Sequence, residues 1–292
     1  MIGPQANWLQ DGKRLHLNHG PIDLIIEAFG EDAERRSAYR QAVARFQTIL
    51  PELVDELTEL RRPAGKIQRR FMGPTARRME DAVVPLSHDF ITPMAAVAGS
   101  VADEMLVALT AGRKLTKAYV NNGGDSALYL TEGHSLTLAI AGTGHGFADR
   151  VVILAEDGVG GVATSGWRGR SFSLGIADAV TVLARSGAEA DAAATLIANA
   201  VNLPGHPAIA RTPASSLAPD SDLGERLVTT DVGHLTALEV EAALSCGLTN
   251  AEDFRRGGLI DAAALFLAGQ VRLCGAPTLL RPHHHPKELV DA

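Results

Sequence analysis

Polar and apolar residues alternate from Arg14 to Leu17, break at Asn18-His19-Gly20-Pro21, and give way to an apolar run from Ile22 to Phe29. A period of two around a Gly-Pro break predicts a hairpin, or two adjoining strands, entering a sheet. From residue 31 to 60 the period changes. Val43, Phe46, Leu50, Leu53, Leu57 and Leu60 recur at spacings of three and four behind Glu31, Asp32 and Glu34, where a helix dipole favours carboxylates. This predicts a helix that Pro51 breaks or kinks near its middle. Residues 61–78 lose the period and carry Arg61, Arg62, Lys66, Arg69, Arg70, Arg77 and Arg78 among Gly and Pro. They read as a solvated basic linker, with a phosphate clamp as the alternative, because guanidinium matches phosphate geometry. Residues 90–111 predict a buried helix with Thr92 as N-cap and Pro93 in the first helical position. Ala95, Ala96, Ala98, Gly99 and Ala102 give it a small-residue face for close packing, or for a flat ring to lie against. Asp103 sits on the same helix and either meets a ligand or reaches the surface at the helix end.

Strand candidates follow at 115–121, 126–130, 135–141, 150–155, 159–164 and 177–184, separated by Gly-rich connections. Residues 188–201 are Ala- and Leu-rich without interior Gly or Pro and predict a helix bounded at Ser186-Gly187. A loop-rich stretch with four prolines covers 202–224. Residues 235–247 and 251–275 predict two further helices, the second capped by Asn250 and apolar along Phe254, Leu259, Ala263, Leu265, Phe266 and Val271. Helices mixed with short alternating strands give an α+β (α/β layered) class with mixed or antiparallel sheets flanked by helices. One unit is expected over 1–282, without a clean internal linker, followed by a loose tail at 283–292. The tail holds His283, His284 and His285 between prolines and lacks the Cys or fourth ligand of a structural zinc site.

Composition changes this picture little. A hydrophobic fraction of 46% and a charged fraction of 21% are ordinary for a globular chain. The net charge of −7 gives no electrostatic case for nucleic acid or an anionic membrane. Cys246 and Cys274 stand apart and fit free thiols in a reducing compartment. The first residues lack the basic and apolar regions of a signal peptide, and Asp103 and Glu104 interrupt the apolar stretch 94–111. The expectation is a cytoplasmic protein with no membrane or nucleic-acid partner, free to form a homo-oligomer.

The candidate chemistry lies in three segments. Asn121-Asn122-Gly123-Gly124-Asp125 bends between two strands: a plain hairpin turn, or a polar turn whose glycines let a ligand approach beside carboxamides and a carboxylate. Val162-Ala163-Thr164-Ser165-Gly166 ends another strand in a bend. Asp191 and Thr195 lie four apart on one helical face, where Asp191 serves either as a first-turn cap or, with the Thr195 hydroxyl, as a hard-cation ligand. Gly142-Thr143-Gly144-His145-Gly146 is a flexible turn able to line a site, though it lacks the Lys-Ser/Thr of a P-loop.

The order Asn-x-Gly-Gly-Asp, Ala-Thr-Ser-Gly, Ala-Asp-x-x-x-Thr resembles the ApbE superfamily, the Mg²⁺-dependent flavin transferases that move FMN from FAD onto a protein threonine or serine. It resembles more closely the ApbE-like branch known as the UPF0280 family, which His19–Ala28 and Ile91–Asp103 also fit. The resemblance spans roughly residues 12–200. It implies sheet layers flanked by helices with a cleft between two lobes. It also implies Mg²⁺ at Asp191 and Thr195, and FAD or FMN lined by Asn122, Gly123, Gly124, Asp125, Thr164, Ser165 and Gly166. His145 and Asp178 are the nearest candidates for a catalytic base. The family's His-x-x-Asp-Pro-x-Thr-Gly loop is absent: Trp167–Ile176 has no His, Asp or Pro. Three functions therefore stand open. The first is a flavin-handling enzyme that transfers FMN to an acceptor protein or cleaves the FAD phosphoanhydride. The second is an enzyme of cofactor or heterocycle metabolism with another small-molecule substrate. The third is a non-catalytic flavin- or nucleotide-binding protein.

Overall fold

The computed structural model describes residues 3–139 and 150–275. Strands β1 (Gln5–Trp8), β2 (Leu15–His19) and β3 (Ile22–Gly30) lead into helix α1 (Asp32–Asp55), the single turn α2 (Leu57–Leu60), α3 (Pro74–Val83) and α4 (Val97–Thr110). Strands β4 (Leu115–Asn122), β5 (Asp125–Leu130), β6 (Ser135–Ala139), β7 (Arg150–Leu154), β8 (Gly161–Ser165) and β9 (Ala179–Ala184) follow, then α5 (Gly187–Ala200). The chain continues through β10 (Ile209–Pro213), the single turn α6 (Ala214–Leu217), β11 (Leu227–Val232) and α7 (Ala237–Arg256), and reaches β12 (Ala262–Leu267) and β13 (Gln270–Gly275).

Nine strands form one antiparallel sheet in the order β1-β2-β3-β4-β5-β8-β9-β12-β13. The alternation read in the sequence is the pleat: Leu15, Leu17, Leu24, Ile26, Ala28, Ala118 and Val120 all point to one buried side, against Phe46, Ile49, Met105 and Leu109 of α1 and α4. In the other half Ala163, Val180, Val182, Ala263 and Leu265 meet α5 and α7. The hairpin β6–β7 covers the opposite face in the middle of the sheet, where Leu136, Val151 and Ile153 pack on Leu128, Val162, Leu183 and Ala264. The result is an α+β molecule of helix, sheet and hairpin layers, its two half-cores joined by one continuous sheet.

Several elements differ from the sequence expectation. Helix α1 runs through Pro51 and breaks only at Glu56, whose carboxylate accepts from the Met72 and Gly73 amides at 2.6 and 2.9 Å. The basic stretch is a loop followed by α3, and most of its cations are committed within the chain. Arg69 pairs with the buried Glu80 at 2.7 Å, Arg78 with Glu104, Arg61 with Asp220, and Arg62 with Glu59. Thr92 does not cap the next helix with its side chain; its hydroxyl donates to Asp222. The two expected C-terminal helices are instead one helix, α7, with Asn250 inside it, and the β12–β13 hairpin. Ala262-Ala-Ala-Leu-Phe-Leu is nearly all buried between β9 and β13. A short apolar run of this kind carries no period to separate strand from helix. The Pro-rich stretch contains β10 and leads to β11, which pair as a separate ribbon.

Helix Pro93–Thr110, counted with its first 3₁₀ turn, is long and apolar enough to cross a membrane, but 56% of it is buried inside the protein. Here it is a core helix packed on α1, α3, α5, β4 and β5.

Candidate functional site

The polar residues singled out in the sequence meet where the two halves of the sheet join. Three backbones crowd together there. A Cβ on Gly99 would lie 2.1 Å from the Gly187 carbonyl oxygen, and one on Gly161 would lie 2.1 Å from the Ser186 carbonyl carbon. Glycine is what lets α4, α5 and β8 approach this closely.

At this junction the two helices cap each other. Asp103, buried on α4, accepts from the Gly187 and Ala188 amides at the start of α5, at 2.8 and 2.9 Å. Asp191 on α5 accepts from the Gly99 amide in the first turn of α4 at 3.0 Å. Each carboxylate thus meets amides left without partners inside the helix, at its positive end. Within α5, the Ser186 hydroxyl accepts from Glu189 N at 3.2 Å, so the expected boundary at Ser186-Gly187 holds.

The β4–β5 turn reaches the same point. Asn122 and Asp125 pair across it and lie on the helix side of the sheet. Asn122 donates through Nδ2 to the Ala98 carbonyl at 3.1 Å, and Asp125 accepts from the Thr164 amide at 3.0 Å. Desolvation pushes the Asp125 carboxyl up to about 6, with opposing contributions from the Thr164 amide and the Arg170 charge. Burial first, and then the negative charge of Asp125, raise the Asp191 carboxyl well above its ordinary value. Two carboxylates that feel each other's charge favour a shared proton or a cation between them. Among the described residues no cluster of three or more His, Cys, Asp and Glu side chains is suited to a metal. Asp191 and Thr195, the pair read in the sequence as cation ligands, lie one turn apart on α5.

Gly123 and Gly124 form the tip of the turn, with φ of 63° and 124°. Thr164 contributes its amide to this side, while its hydroxyl pairs with the Thr181 hydroxyl at 2.9 Å on the opposite face. Ser165 faces the helices. Gly166 ends β8 where a Cβ would meet the Asp178 carbonyl oxygen at 2.6 Å. Asp178 stands apart from the carboxylate pair in its bonding: it accepts from Arg168 Nε at 2.5 Å and from the amide of Ala268, the β12–β13 turn residue with φ 48°. His145 lies outside the described residues, as do the Gly142–Gly146 turn and the histidine-bearing tail.

Three participants were not singled out for this role. Gly99 and Ala98 act through their backbones, which no motif reveals. Arg170 belongs to the segment that lacks the family loop. Its guanidinium rests on Gly123, where a Cβ would lie 1.4 Å from Nη2 and 2.6 Å from Cζ. The signal available in the sequence was Arg168-Gly169-Arg170 in place of the missing acidic and imidazole groups.

A family model described as AbpE bacteria matches residues 6–273. Among curated relatives, the UPF0280 protein of Methanothermobacter thermautotrophicus is 33% identical over 156 residues, 53% of this chain and 56% of the relative. That of Methanopyrus kandleri is 36% identical over 124 residues, 42% and 48%, and that of Methanothrix thermoacetophila 41% over 114 residues, 38% and 46%. The chain thus spans about half the length of the curated relatives it matches. Two solved structures are similar over 96% of the chain: the apo flavinyl transferase ApbE of Pseudomonas stutzeri and the ApbE protein of Thermotoga maritima. Their identities are 11% and 12%, their coverages 98% and 100%, and their TM-scores 0.45 and 0.48.

Proposed function

The chain belongs to the AbpE bacteria family, and from that premise we propose that it is a Mg²⁺-dependent enzyme acting on a flavin nucleotide. Its reaction would cleave the phosphoanhydride of FAD, releasing AMP and passing FMN to a protein hydroxyl or to water. The observation that carries this reading is the convergence of Asn122, Asp125 and Asp191 on one junction: Asp191 takes the Gly99 amide, Asn122 the neighbouring Ala98 carbonyl, and Asp125, opposite Asn122, the Thr164 amide.

Asp191 and Thr195 would hold the ion, which supplies neutralisation of the charge that develops on phosphoryl oxygens. The protein's own part is placement. The Gly99 amide fixes the Asp191 carboxylate, the Ala98 carbonyl fixes the Asn122 side chain, and the Thr164 amide fixes Asp125. A site held by backbone groups of two packed elements, α4 and β8, needs little rearrangement when the ligand arrives. Gly124 leaves the turn open to the ligand while Arg170 rests on Gly123, and Ser165 and Gly166 bend the chain beside it. When the acceptor oxygen bonds to the phosphorus on the FMN side, the bridging oxygen leaves with AMP and keeps the electron pair. The acceptor's proton goes to solvent or to the departing phosphate.

One observation favours a second reading, an enzyme acting on another phosphate-bearing small molecule. The segment that departs from the family loop is built into the fold. Asn199 accepts from Leu174 N at 2.8 Å, Asn202 and Arg211 donate to the Leu174 carbonyl, and Thr229 donates to the Ser173 and Gly175 carbonyls.

Incubation with FAD and Mg²⁺ followed by chromatography separates these readings. AMP release that needs Mg²⁺ and falls at least about a hundredfold in Asp191→Ala, roughly 2.7 kcal/mol, supports the first. Absence of release from FAD, with turnover of another phosphoanhydride, supports the second.

A further inference from the structure

From the segment 167–176 the guanidinium of Arg170 reaches the Asn-x-Gly-Gly-Asp turn at Gly123. The segment is anchored on both sides of that residue. Before it, the Trp167 amide donates to the Ala177 carbonyl at 3.0 Å, the Gly169 amide to the Gly166 carbonyl at 3.0 Å, and Arg168 is committed to Asp178 and to the face of Trp167. After it, Ser173 and Leu174 are pinned by Thr229, Asn199, Asn202 and Arg211. Arg170 projects between these anchors onto Gly123, into the volume a Cβ would fill. Among the described residues it forms no hydrogen bond and no ion pair of its own, although its positive charge bears on Asp125.

A guanidinium keeps its charge at all ordinary pH and presents its donors as a fixed planar fork that fits phosphate oxygens two at a time. Seated against Gly123, with its charge felt by Asp125, it puts a cation for the ligand's anionic group at the tip of the β4–β5 turn. We propose that Arg170 is the phosphate-recognising residue of this site, setting it for phosphate-bearing ligands over their dephosphorylated counterparts. The inference rests on the reading of the site as one that takes a phosphoanhydride. It does not depend on the ligand being a flavin.

The test is calorimetric titration of inorganic pyrophosphate with Mg²⁺ into the full chain and its variants, each checked for an unchanged thermal unfolding midpoint. The wild type is expected to bind, Arg170→Ala to bind at least about tenfold more weakly, Arg170→Lys to fall between them, and Arg168→Ala to match the wild type. Equal affinity in wild type and Arg170→Ala overturns the assignment. So does an equal loss in Arg168→Ala, or a wild type that takes no pyrophosphate. FAD and riboflavin titrated in parallel keep the two readings separate. Arg170-dependent pyrophosphate binding without any flavin binding sustains Arg170 and removes the flavin reading. Weakening of FAD but not riboflavin in Arg170→Ala sustains both.

Discussion

Asp103 and Asp191 perform the same task in opposite directions, each spending a carboxylate on the first amides of the other's helix. Their titration gives the clearest prediction at the level of single residues. Burial pushes the Asp103 carboxyl up from 3.8 to about 6, against the pull of the two amides. The folded protein then holds this proton more tightly than the unfolded chain, so stability falls as pH rises through the window from 3.8 to about 6. A single group of this kind contributes a slope of at most about 1.4 kcal/mol per pH unit. Urea unfolding of the metal-free protein across that window should show a steeper decline for wild type than for Asp103→Asn; equal slopes would remove Asp103 as the cause. Glu239 acts at the other end. Bonds from the Thr236 amide and from His206 hold it near 2, so its contribution is full above 4.5 and is lost as pH falls toward 2.

At the level of elements, the candidate site depends on the contact between α4 and α5. Gly99→Ala would place a methyl 2.1 Å from the Gly187 carbonyl oxygen, a backbone atom that cannot rotate away. The helices must separate, which should cost about 3 kcal/mol or more and pull the Gly99 amide off Asp191. Chemical denaturation measures the first effect, and a drop of less than about 1 kcal/mol would mean that the junction is looser than described. This contact also shows what the sequence did and did not disclose. Strand β2 was legible because Leu15 and Leu17 face the core and alternate with His16 and Asn18, and β3 because its apolar run follows the Gly20-Pro21 break. β12 was not, because both its faces are covered and Ala262–Leu267 has no period. Helix α3 was hidden by the arginines in it and before it, which a charge count reads as surface although Glu80 of α3 is buried and pairs with Arg69. In the candidate site, Asn122, Asp125 and Asp191 were legible from their motifs, and the fold brings them together. The Gly99 amide and Arg170 were not, since a backbone donor leaves no signature and Arg170 lies 47 positions from the Gly123 it covers.

On the scale of the whole molecule, one sheet carries two half-cores, and the polar cluster lies on the seam between them. β5 pairs directly with β8 because the β6–β7 hairpin folds away onto the other face. That excursion leaves the β4–β5 turn and the end of β8 side by side under α4 and α5. A ligand bound there would touch both halves and stabilise them together, as any ligand that prefers the folded state does. The central claim is that the seam holds a cation through Asp191. The most direct measurement is calorimetric titration of Mg²⁺ in the presence of FAD, for wild type and for folded Asp191→Asn. One ion bound per chain is expected in the wild type, with a loss of at least about tenfold in affinity, roughly 1.4 kcal/mol, in the variant. Equal affinities in the two proteins, or FAD bound by the wild type with no Mg²⁺ taken up, would contradict it.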